Sequence, residues 1–350
     1  MDERSSGATY AASGVDRSAI GEALAALLSS VRYRPPPSHG RPVAAVGHFA
    51  GLVRIGRETI ALTTDTVGTK VQLAAEVARW EEVGEDVVGV NVNDLAAVGA
   101  RPSGLVDTIL LERPDPVVLR AVGRGIDRGL RVAECALLGG ETAVVPSIVR
   151  GVDLGGTAVG FFPRRRRPVT GAAIRPGDVI LGIPSNGVHA NGFTLVRKLL
   201  ADARVDVTQP GPSRRGSLAE ELLRPTRIYS RAADALADRA ETHGFAHLSG
   251  GGVRNLVRLH PKVAFVLDPW PTVPPIFSYL QRLGGISDEE MFQTFNMGIG
   301  FAVVVSPHRL AETRRRLGRA GAPDARPIGR VAKGQGVSVP ALGLEYSAYS

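Results

Sequence analysis

The octapeptide TTDTVGTK, residues 63 to 70, places a carboxylate, a glycine and a lysine within one short stretch. Asp65 could bind a metal ion and Gly68 could let the backbone approach a ligand. Lys70, at the start of the next helix, could contact a phosphate. The P-loop spacing of a glycine, four residues and then Gly-Lys-Ser/Thr is absent. The stretch therefore predicts either a phosphate site of another geometry or an ordinary turn.

Two further carboxylates follow apolar runs in the same half of the chain. VNVN leads to Asp94, and ALLGG leads to Glu141. Ligands of open α/β sheets gather beyond the carboxyl ends of the strands, so Asp65, Asp94 and Glu141 are expected to converge there. Three carboxylates in one cleft repel one another without a cation, and Mg²⁺ commonly bridges carboxylates to nucleotide phosphates. The alternative for each acid alone is a helix cap or a turn residue.

Two histidines of the second half lie in glycine-containing turns that precede helices. SNGVHANGFTLVRK places His189 between two Asn-Gly pairs, and AHLSGGGVRNLVRL places His247 shortly before three glycines at 250 to 252. His189 could carry a proton or donate a hydrogen bond. A glycine-rich loop that enters a helix can hold a phosphate. The alternative for each histidine is a surface residue without a function.

The net charge of +8 favours anionic partners, either phosphorylated small molecules or nucleic acid. Arginines are concentrated in RRRR (164 to 167), SRR (213 to 215) and RRR (314 to 316), while aromatic residues make up only 5% of the chain. No stretch interleaves basic and stacking residues, as single-strand binders do. The runs are therefore predicted to be solvated faces, and nucleic acid is not expected as a partner.

Cysteine content and apolar run length constrain the cellular setting. Cys135 is the only cysteine, which excludes an internal disulfide and a cysteine-rich zinc site and favours a reducing cytoplasm. The longest apolar stretches are interrupted by Asn and Asp before they could span a bilayer. The first ten residues lack the apolar core of a secretory signal. The expected protein is cytoplasmic, without a membrane partner.

The alternation of short apolar runs and helical segments predicts an α/β (α+β) protein of two domains. Strands are predicted at ETIALTT, SGLVDTILL, CALLGGE, GVDLGGTAVGFF, VILGIPS, AFVLD and GFAVVV. Helices are predicted at 17–31, 70–80, 115–134, 191–203 and 307–321. The predicted boundaries are an N-terminal tail and helix (1–42), a first domain (43–162), a linker (163–177), a second domain (178–340) and a tail (341–350).

An ordered set of motifs resembles the phosphoribosylformylglycinamidine cyclo-ligase family, also called aminoimidazole ribonucleotide synthetase. The motifs are TDTVGTK, NVNDLAAVGA, GGETA, SNGVHANGFTLVRK, PTRIY, AHLSGGG and MFQTFNMGIGF, with SGVD and GHFAGL before them. The resemblance covers roughly residues 10 to 335, and the form of GGETAVVP and LERPDP is similar to the archaeal-type branch.

The resemblance implies an enzyme of purine biosynthesis that uses ATP and Mg²⁺ to close the imidazole ring of 5-aminoimidazole ribonucleotide. ATP would phosphorylate the formyl amide oxygen of the substrate, after which the amidine nitrogen attacks and phosphate leaves. It also implies a homodimer whose N-terminal mixed sheets form a barrel, with a C-terminal α/β domain that completes the cleft.

Site residues are carried over position by position. The resemblance implies metal binding by Asp65, Asp94 and Glu141, and catalytic roles for His189 and Lys70. It implies ATP binding by Asp65, Lys70, Asn93, Asp94, Gly140 and Thr142. It implies substrate binding by His189, Asn191, His247, Gly250, Gly251 and Gly252.

Two positions depart from the pattern of the family. Thr66 stands where TDGVGTK has glycine, and a positive φ there would strain a β-branched residue. Val144 replaces an acid that many bacterial members carry. A thiamine-monophosphate kinase-like enzyme or an inactive nucleotide-binding homologue remains the alternative. Selenophosphate synthetase and the hydrogenase-maturation protein are disfavoured, since the expected cysteine is absent near the N-terminus and from the final EYSAYS.

Overall fold

The computed structural model describes residues 7–33, 35–43, 47–163 and 166–349, which form two mixed sheets. The first sheet contains β1 (Arg41–Pro42), β2 (Gly51–Ile55), β3 (Glu58–Thr66), β4 (Arg101–Leu111), β5 (Ala136–Val144) and β6 (Val152–Phe161). Its spatial order is β1-β2-β3-β6-β4-β5, and only β4 and β5 run parallel.

Helices α2 (Lys70–Glu76) and α3 (Trp80–Ala96) cover one face of this sheet, and α4 (Pro116–Ala133) packs against α3. Helix α1 (Arg17–Ser30) precedes them in the chain and exposes Ile20, Leu24 and Leu27. Asp115 caps α4 by accepting the backbone N–H groups of Val117 and Val118. Helices α3 and α4 approach closely because a Cβ on Gly125 would lie 1.9 Å from the Glu81 carbonyl oxygen. The opposite face of the sheet is left open.

Helix α3 corrects the prediction for the run that precedes Asp94. That run was expected to deliver Asp94 to a turn after an apolar segment, but Asp94 lies within the last turn of α3. The helix is buried on nearly every side between the sheet and α4, so it shows no polar stripe at helical spacing. Its apolar valines and glycines consequently gave no helical signal.

The second sheet is built by the second half of the chain. Its strands are β7 (Val179–Pro184), β8 (Thr242–His247), β9 (Val263–Val266), β10 (Ile299–Val305), β11 (Arg326–Lys333), β12 (Gly336–Val339) and β13 (Leu344–Tyr346). The order is β13-β12-β9-β11-β7-β10-β8, with β12 and β9 parallel. Helices of this half are α5 (Phe193–Asp202), α6 (Leu218–Leu223), α7 (Ser230–Asp234), α8 (Pro275–Gly284), α9 (Asp288–Thr294) and α10 (Leu310–Arg319). The predicted α/β class with two mixed sheets is confirmed.

Both predicted tails are attached to the second half. Strand β13 pairs with β12, so the second sheet extends past the expected boundary at 340. Near the other end, the Ala8 backbone N–H donates to the Gly284 carbonyl at 2.9 Å. Residues 1–6 lie outside the described part of the chain. No described helix is long and apolar enough to cross a membrane.

The segment PTRIY, residues 225 to 229, fastens the second half onto α3. Asp86 of α3 accepts the Thr226 backbone N–H at 2.7 Å and the Thr226 hydroxyl at 2.6 Å. Two turns further along α3, Asn93 donates to the Arg227 carbonyl at 2.9 Å and accepts the Tyr229 backbone N–H at 2.8 Å. Both polar residues of α3 are buried, and these bonds satisfy them.

The departure at Thr66 causes no backbone strain. Thr66 is the last residue of β3, where it pairs with Gly155 of β6 in extended conformation rather than at positive φ. Its side chain lies on the open face of the sheet, because the neighbouring Asp65 points toward α3. Gly68, two residues later, does adopt a φ of 67°. The turn therefore obtains its left-handed residue from Gly68.

Candidate active site

Asp65, Asp94 and His247 meet where the two halves of the chain join. Asp65 lies near the end of β3, Asp94 near the end of α3, and His247 at the end of β8. His247 Nδ1 is 2.9 Å from Asp94 Oδ1. Because an ionised carboxylate only accepts, Nδ1 carries a proton, so in the neutral form of the imidazole the lone pair is on Nε2. Nε2 is buried and has no hydrogen-bond partner in the described part of the chain.

The carboxylate of Asp65 has the electrostatics of a cation ligand. Burial and the negative charge of Asp94 raise the pKa of Asp65 to about 6, although its own turn opposes this through the Thr66 backbone N–H. Two acids that disfavour each other's charge are stabilised when a divalent cation lies between them. Mg²⁺ typically takes one or two carboxylates and completes its shell with phosphate oxygens and water. Asp65 and Asp94 therefore fit the protein share of a Mg²⁺–nucleotide site.

The raised pKa of Asp65 predicts that this site lowers the stability of the metal-free protein. The pKa of Asp65 is about 6 in the folded state and 3.8 in its ordinary state, so the folded protein binds this proton more tightly than the unfolded chain does. Ionisation of Asp65 therefore destabilises the folded state, and this cost is fully present above pH 6. We expect Asp65→Asn to raise the unfolding free energy at pH 7.5 by about 1 to 3 kcal/mol, an effect that vanishes toward pH 4.

Urea unfolding without metal at the two pH values measures this difference. Addition of Mg²⁺ with ATP should stabilise the wild-type protein and leave Asp65→Asn unchanged. A variant that is less stable than wild type at pH 7.5 would contradict the electrostatic account of Asp65.

His189 is a buried imidazole without a hydrogen-bond partner. The residue adopts a left-handed φ of 65° and is only 2% exposed. Neither ring nitrogen has a partner within the residues that the structure describes. Burial, followed by the positive groups around it, lowers the pKa of His189 well below its ordinary value. His189 is therefore neutral and offers one donor and one acceptor to a ligand.

The glycine loop at 250 to 252 lies beside Asn191. A Cβ on Gly250 would lie 2.8 Å from Asn191 Oδ1, and Gly251 has a φ of 107°. The loop enters a short 3₁₀ helix, Gly252–Arg258, in place of the expected α-helix. The two predicted substrate-side loops, around His189 and around Gly250, are thus adjacent in space.

Arg258 and His48 belong to this region and were not predicted as site residues. Arg258 donates to the carbonyls of Gly47 and His48 and to Asn255 Oδ1, and its guanidinium lies 4.1 Å from the Phe49 ring centroid. Its positive charge acts on Asp65, and the charge of Asp94 acts on His48. The segment GHFAGL was the available signal for His48. No sequence pattern distinguished Arg258 from the other arginines.

Lys70 is not positioned as the predicted phosphate lysine. Its ammonium is fully buried, 2.6 Å from Asp86 Oδ2, and it donates to the Arg224 carbonyl at 2.9 Å. Burial lowers the pKa of Lys70, and the Asp86 carboxylate opposes that effect. Asn93, predicted to bind ATP, is likewise buried and occupied by the PTRIY segment. Both residues therefore support the fold of the site and have no free group to offer a nucleotide.

Glu141 does not converge with the other two carboxylates within one protomer. Asp65 lies in register with Gly156, then Asp107, then Gly140 of β5, so Glu141 is three strands away, about 14 Å. It is also one residue out of register, which places its side chain on the open face of the sheet. Among the described residues, no group of three acidic, histidine or cysteine side chains could hold a metal.

Gly140 and Thr142 lie on the same exposed edge strand, β5. A Cβ on Gly140 would lie 2.0 Å from Asp107 Oδ1, so the absence of a side chain there leaves room for that carboxylate. Asp107 faces the same side of the sheet as Asp65, and burial raises its pKa. The residues predicted to bind ATP thus fall into three places: the Asp65–Asp94 pair, the buried Lys70 and Asn93, and the edge strand.

Both halves of the chain are similar to known proteins of one family. Residues 47–162 match the family AIR synthase related protein, N-terminal domain, and residues 175–341 match the C-terminal domain of that family. The chain is 41% identical over 313 residues to the phosphoribosylformylglycinamidine cyclo-ligase of Methanosarcina barkeri, covering 89% of this chain and 92% of the relative. It is 40% identical over 325 residues to the enzyme of that name from Methanothermobacter thermautotrophicus, covering 92% and 94%.

A solved structure supports the shared fold. The crystal structure of the hydrogenase maturation protein HypE in complex with ATP superposes with a TM-score of 0.60 at 17% identity, covering 82% of this chain and 83% of that chain.

Proposed function

The chain belongs to the AIR synthase related family, and we propose that it is an ATP-dependent ligase that closes the ring of 5-aminoimidazole ribonucleotide. The substrate is formylglycinamidine ribonucleotide, and the reaction belongs to purine biosynthesis. The Asp65–Asp94–His247 cluster at the junction of the two halves is the structural observation that supports this function. The identity of about 40% over most of the chain supports the reaction itself.

The reaction needs a good leaving group in place of an amide oxygen. Phosphorylation of the formyl oxygen by ATP supplies it, attack by the amidine nitrogen forms the ring bond, and phosphate leaves with the former amide oxygen. Little covalent chemistry falls to the protein, so its contribution is to position the reactants and to neutralise developing charge.

Asp65 and Asp94 would hold the Mg²⁺ that accompanies ATP. The ion neutralises charge on the transferred phosphoryl group. Asp94 has one oxygen committed to His247, which leaves Oδ2 for the ion. Its side chain is 15% exposed, so a ligand can reach it from the cleft. The carboxylate therefore couples the position of the nucleotide to the orientation of His247.

The two histidines have the geometry to exchange protons and hydrogen bonds with substrate. His247 is oriented by Asp94 and presents Nε2 as an acceptor, which suits removal of a proton from the attacking nitrogen. His189 is neutral and has no hydrogen-bond partner among the residues that the structure covers, which suits recognition of an amide or amidine. Asn191 and the Gly250–Gly252 loop lie next to them and would position the phosphorylated ribose.

An ADP-release assay tests the function. With formylglycinamidine ribonucleotide, ATP and Mg²⁺, the protein should release ADP and form a product with an imidazole ring. Thiamine monophosphate is the matched negative substrate. Turnover with thiamine monophosphate alone would favour the kinase alternative, and no turnover with either substrate would favour an inactive homologue.

We propose that the open face of the first sheet is covered by a second copy of the chain. Leu62 of β3, Val106 of β4 and Phe161 of β6 lie on this face and are 50%, 37% and 42% exposed. A sheet face of this kind normally requires a cover. Two such sheets facing each other would close the barrel that the resemblance implies. Glu141, whose side chain lies on the open face, would then meet the nucleotide across the interface, whereas Gly140 and Thr142 lie on the other face of the same strand.

Leu62→Glu is expected to convert the dimer into a monomer, because it buries a charge at the centre of the interface. Analytical ultracentrifugation at micromolar concentration measures the change, and turnover should fall at least about tenfold if the edge strand contributes across the interface. Val117→Glu is the control, since Val117 is 73% exposed on α4, away from this face. A monomeric wild-type protein, or a dimeric Leu62→Glu variant, would refute the interface.

A further inference from the structure

An arginine-lined groove lies at the linker between the two sheets, apart from the candidate active site. Its volume is about 560 Å³, and it is lined by Arg101, Arg166, Asp234, Arg239, Arg316 and Arg319 among others. These residues come from the start of β4, the linker, α7 and the segment after it, and the end of α10. None of them belongs to the Asp65–Asp94–His247 cluster or to the glycine loop.

The groove and two adjoining hollows carry most of the net charge of the chain. The hollows share Arg166 with the groove and add Arg54, Arg57 and Arg167. Together the three regions contain eight arginines against three carboxylates, a net +5 within a chain whose total is +8. The catalytic site does not use this charge. The excess positive charge of the chain is therefore concentrated around this groove, and it includes Arg166 and Arg167 of the RRRR run.

Several guanidinium donors in the groove are unused. The side chain of Arg166 is only 9% exposed; Nη1 pairs with Asp234 at 2.9 Å, while the buried Nε has no hydrogen-bond partner within the described chain. Arg319, at the exposed end of α10, has no ion pair among the described residues. A buried N–H without an acceptor is costly, and an anion would supply that acceptor.

Asp234 holds the groove together when no anion is present. Arg101 and Arg166 both pair with it, at 2.8 and 2.9 Å. Burial would raise the pKa of Asp234, but these bonds outweigh burial and hold the pKa below its ordinary value. Asp234 thus neutralises two arginines, and Arg239 Nε lies 3.0 Å from Asp238 Oδ1. Within the described residues, Arg319 is the groove arginine left without a counter-charge. Arg316 pairs with Glu312 through Nε and Nη2.

We propose that this groove binds a small anion that carries several phosphate groups, such as a nucleoside triphosphate held by its phosphates. Forked guanidinium groups recognise phosphate oxygens in pairs, and several of them converge here. Among the described residues that line the groove none is aromatic, so they offer no ring for a base to stack on. The groove therefore contacts the phosphate groups alone. A bound anion links β4 and the linker to α7 and α10.

Titration calorimetry with inorganic tripolyphosphate on the full-length protein tests the site. Arg316→Gln with Arg319→Gln should weaken one binding event at least tenfold and leave the KM for ATP in turnover unchanged. Arg314→Gln with Arg315→Gln is the matched control on the same helix, because neither residue lines the groove. The control should bind tripolyphosphate as the wild type does.

The ligand class is tested with ATP, GTP and a single-stranded RNA oligonucleotide. ATP, GTP and tripolyphosphate should bind the groove within about threefold of one another, and binding should weaken as salt is raised. Unchanged tripolyphosphate binding in the Arg316/Arg319 double variant would overturn the proposal. So would tighter binding of the RNA oligonucleotide that depends on those two arginines.

Discussion

Asp94→Asn is expected to lower kcat by on the order of 100-fold or more, since one carboxylate serves two partners in the candidate active site. The substitution weakens the protein share of the Mg²⁺ site. It also allows the side-chain amide to donate toward His247, which removes the fixed orientation of the imidazole and the acceptor at Nε2. Both losses act on the phosphoryl-transfer and ring-closing steps.

Steady-state turnover across a Mg²⁺ titration measures the effect of Asp94→Asn. We expect a higher Mg²⁺ requirement in addition to the lower kcat. Asp127→Asn is a matched control, because Asp127 is an exposed carboxylate of α4 whose one ion-pair partner within the described chain is Arg131. Wild-type activity and Mg²⁺ dependence in Asp94→Asn would remove Asp94 from the site.

Lys70→Met is expected to destabilise the protein by about 3 to 5 kcal/mol, because it leaves the buried Asp86 carboxylate without its counter-ion. Asp86 cannot rearrange toward water, since both side chains of the pair are 0% exposed. It also holds Thr226, so the PTRIY segment should loosen. Urea unfolding of the variant and the wild type measures the loss.

The double variant Lys70→Met with Asp86→Asn separates a structural role from a catalytic one. Asparagine keeps the acceptor for Thr226 and removes the buried charge, so most of the stability should return. Activity should return with it if Lys70 only supports the fold. A double variant that is stable yet has lost ATP affinity would establish a phosphate contact for Lys70.

The strands near the site were predictable because their alternating or apolar runs end at glycine and acidic residues. This pattern led to β3 with Asp65. It failed for Asp94, because a helix buried on all sides has no polar face to mark its period. Strands β11 to β13 were also missed. Strand β11 contains a proline and a glycine that weaken a strand pattern, and β12 and β13 have only four and three residues.

Residue type alone could not separate ligand contacts from tertiary contacts. Lys70 and Asn93 have the chemistry of phosphate and nucleotide contacts and stand beside true cleft residues in sequence. Lys70 is occupied by Asp86 and by the Arg224 carbonyl, which lies 154 residues away in the chain. Asn93 is occupied by the backbone of PTRIY, 134 residues away at Arg227. Arg258 and His48 enter the cleft through similarly distant contacts, which no local motif encodes.

The attachment of PTRIY to α3 also bears on how this protein can be recombined. A chimaera joined within the linker at 163–177 would take α3 from one parent and residues 225 to 229 from the other. The acceptor at Asp86, the paired contacts of Asn93 and the close approach of Gly89 to Thr226 would then have to match between parents. Helix α3 and PTRIY should therefore come from the same parent, although they lie on opposite sides of the domain boundary.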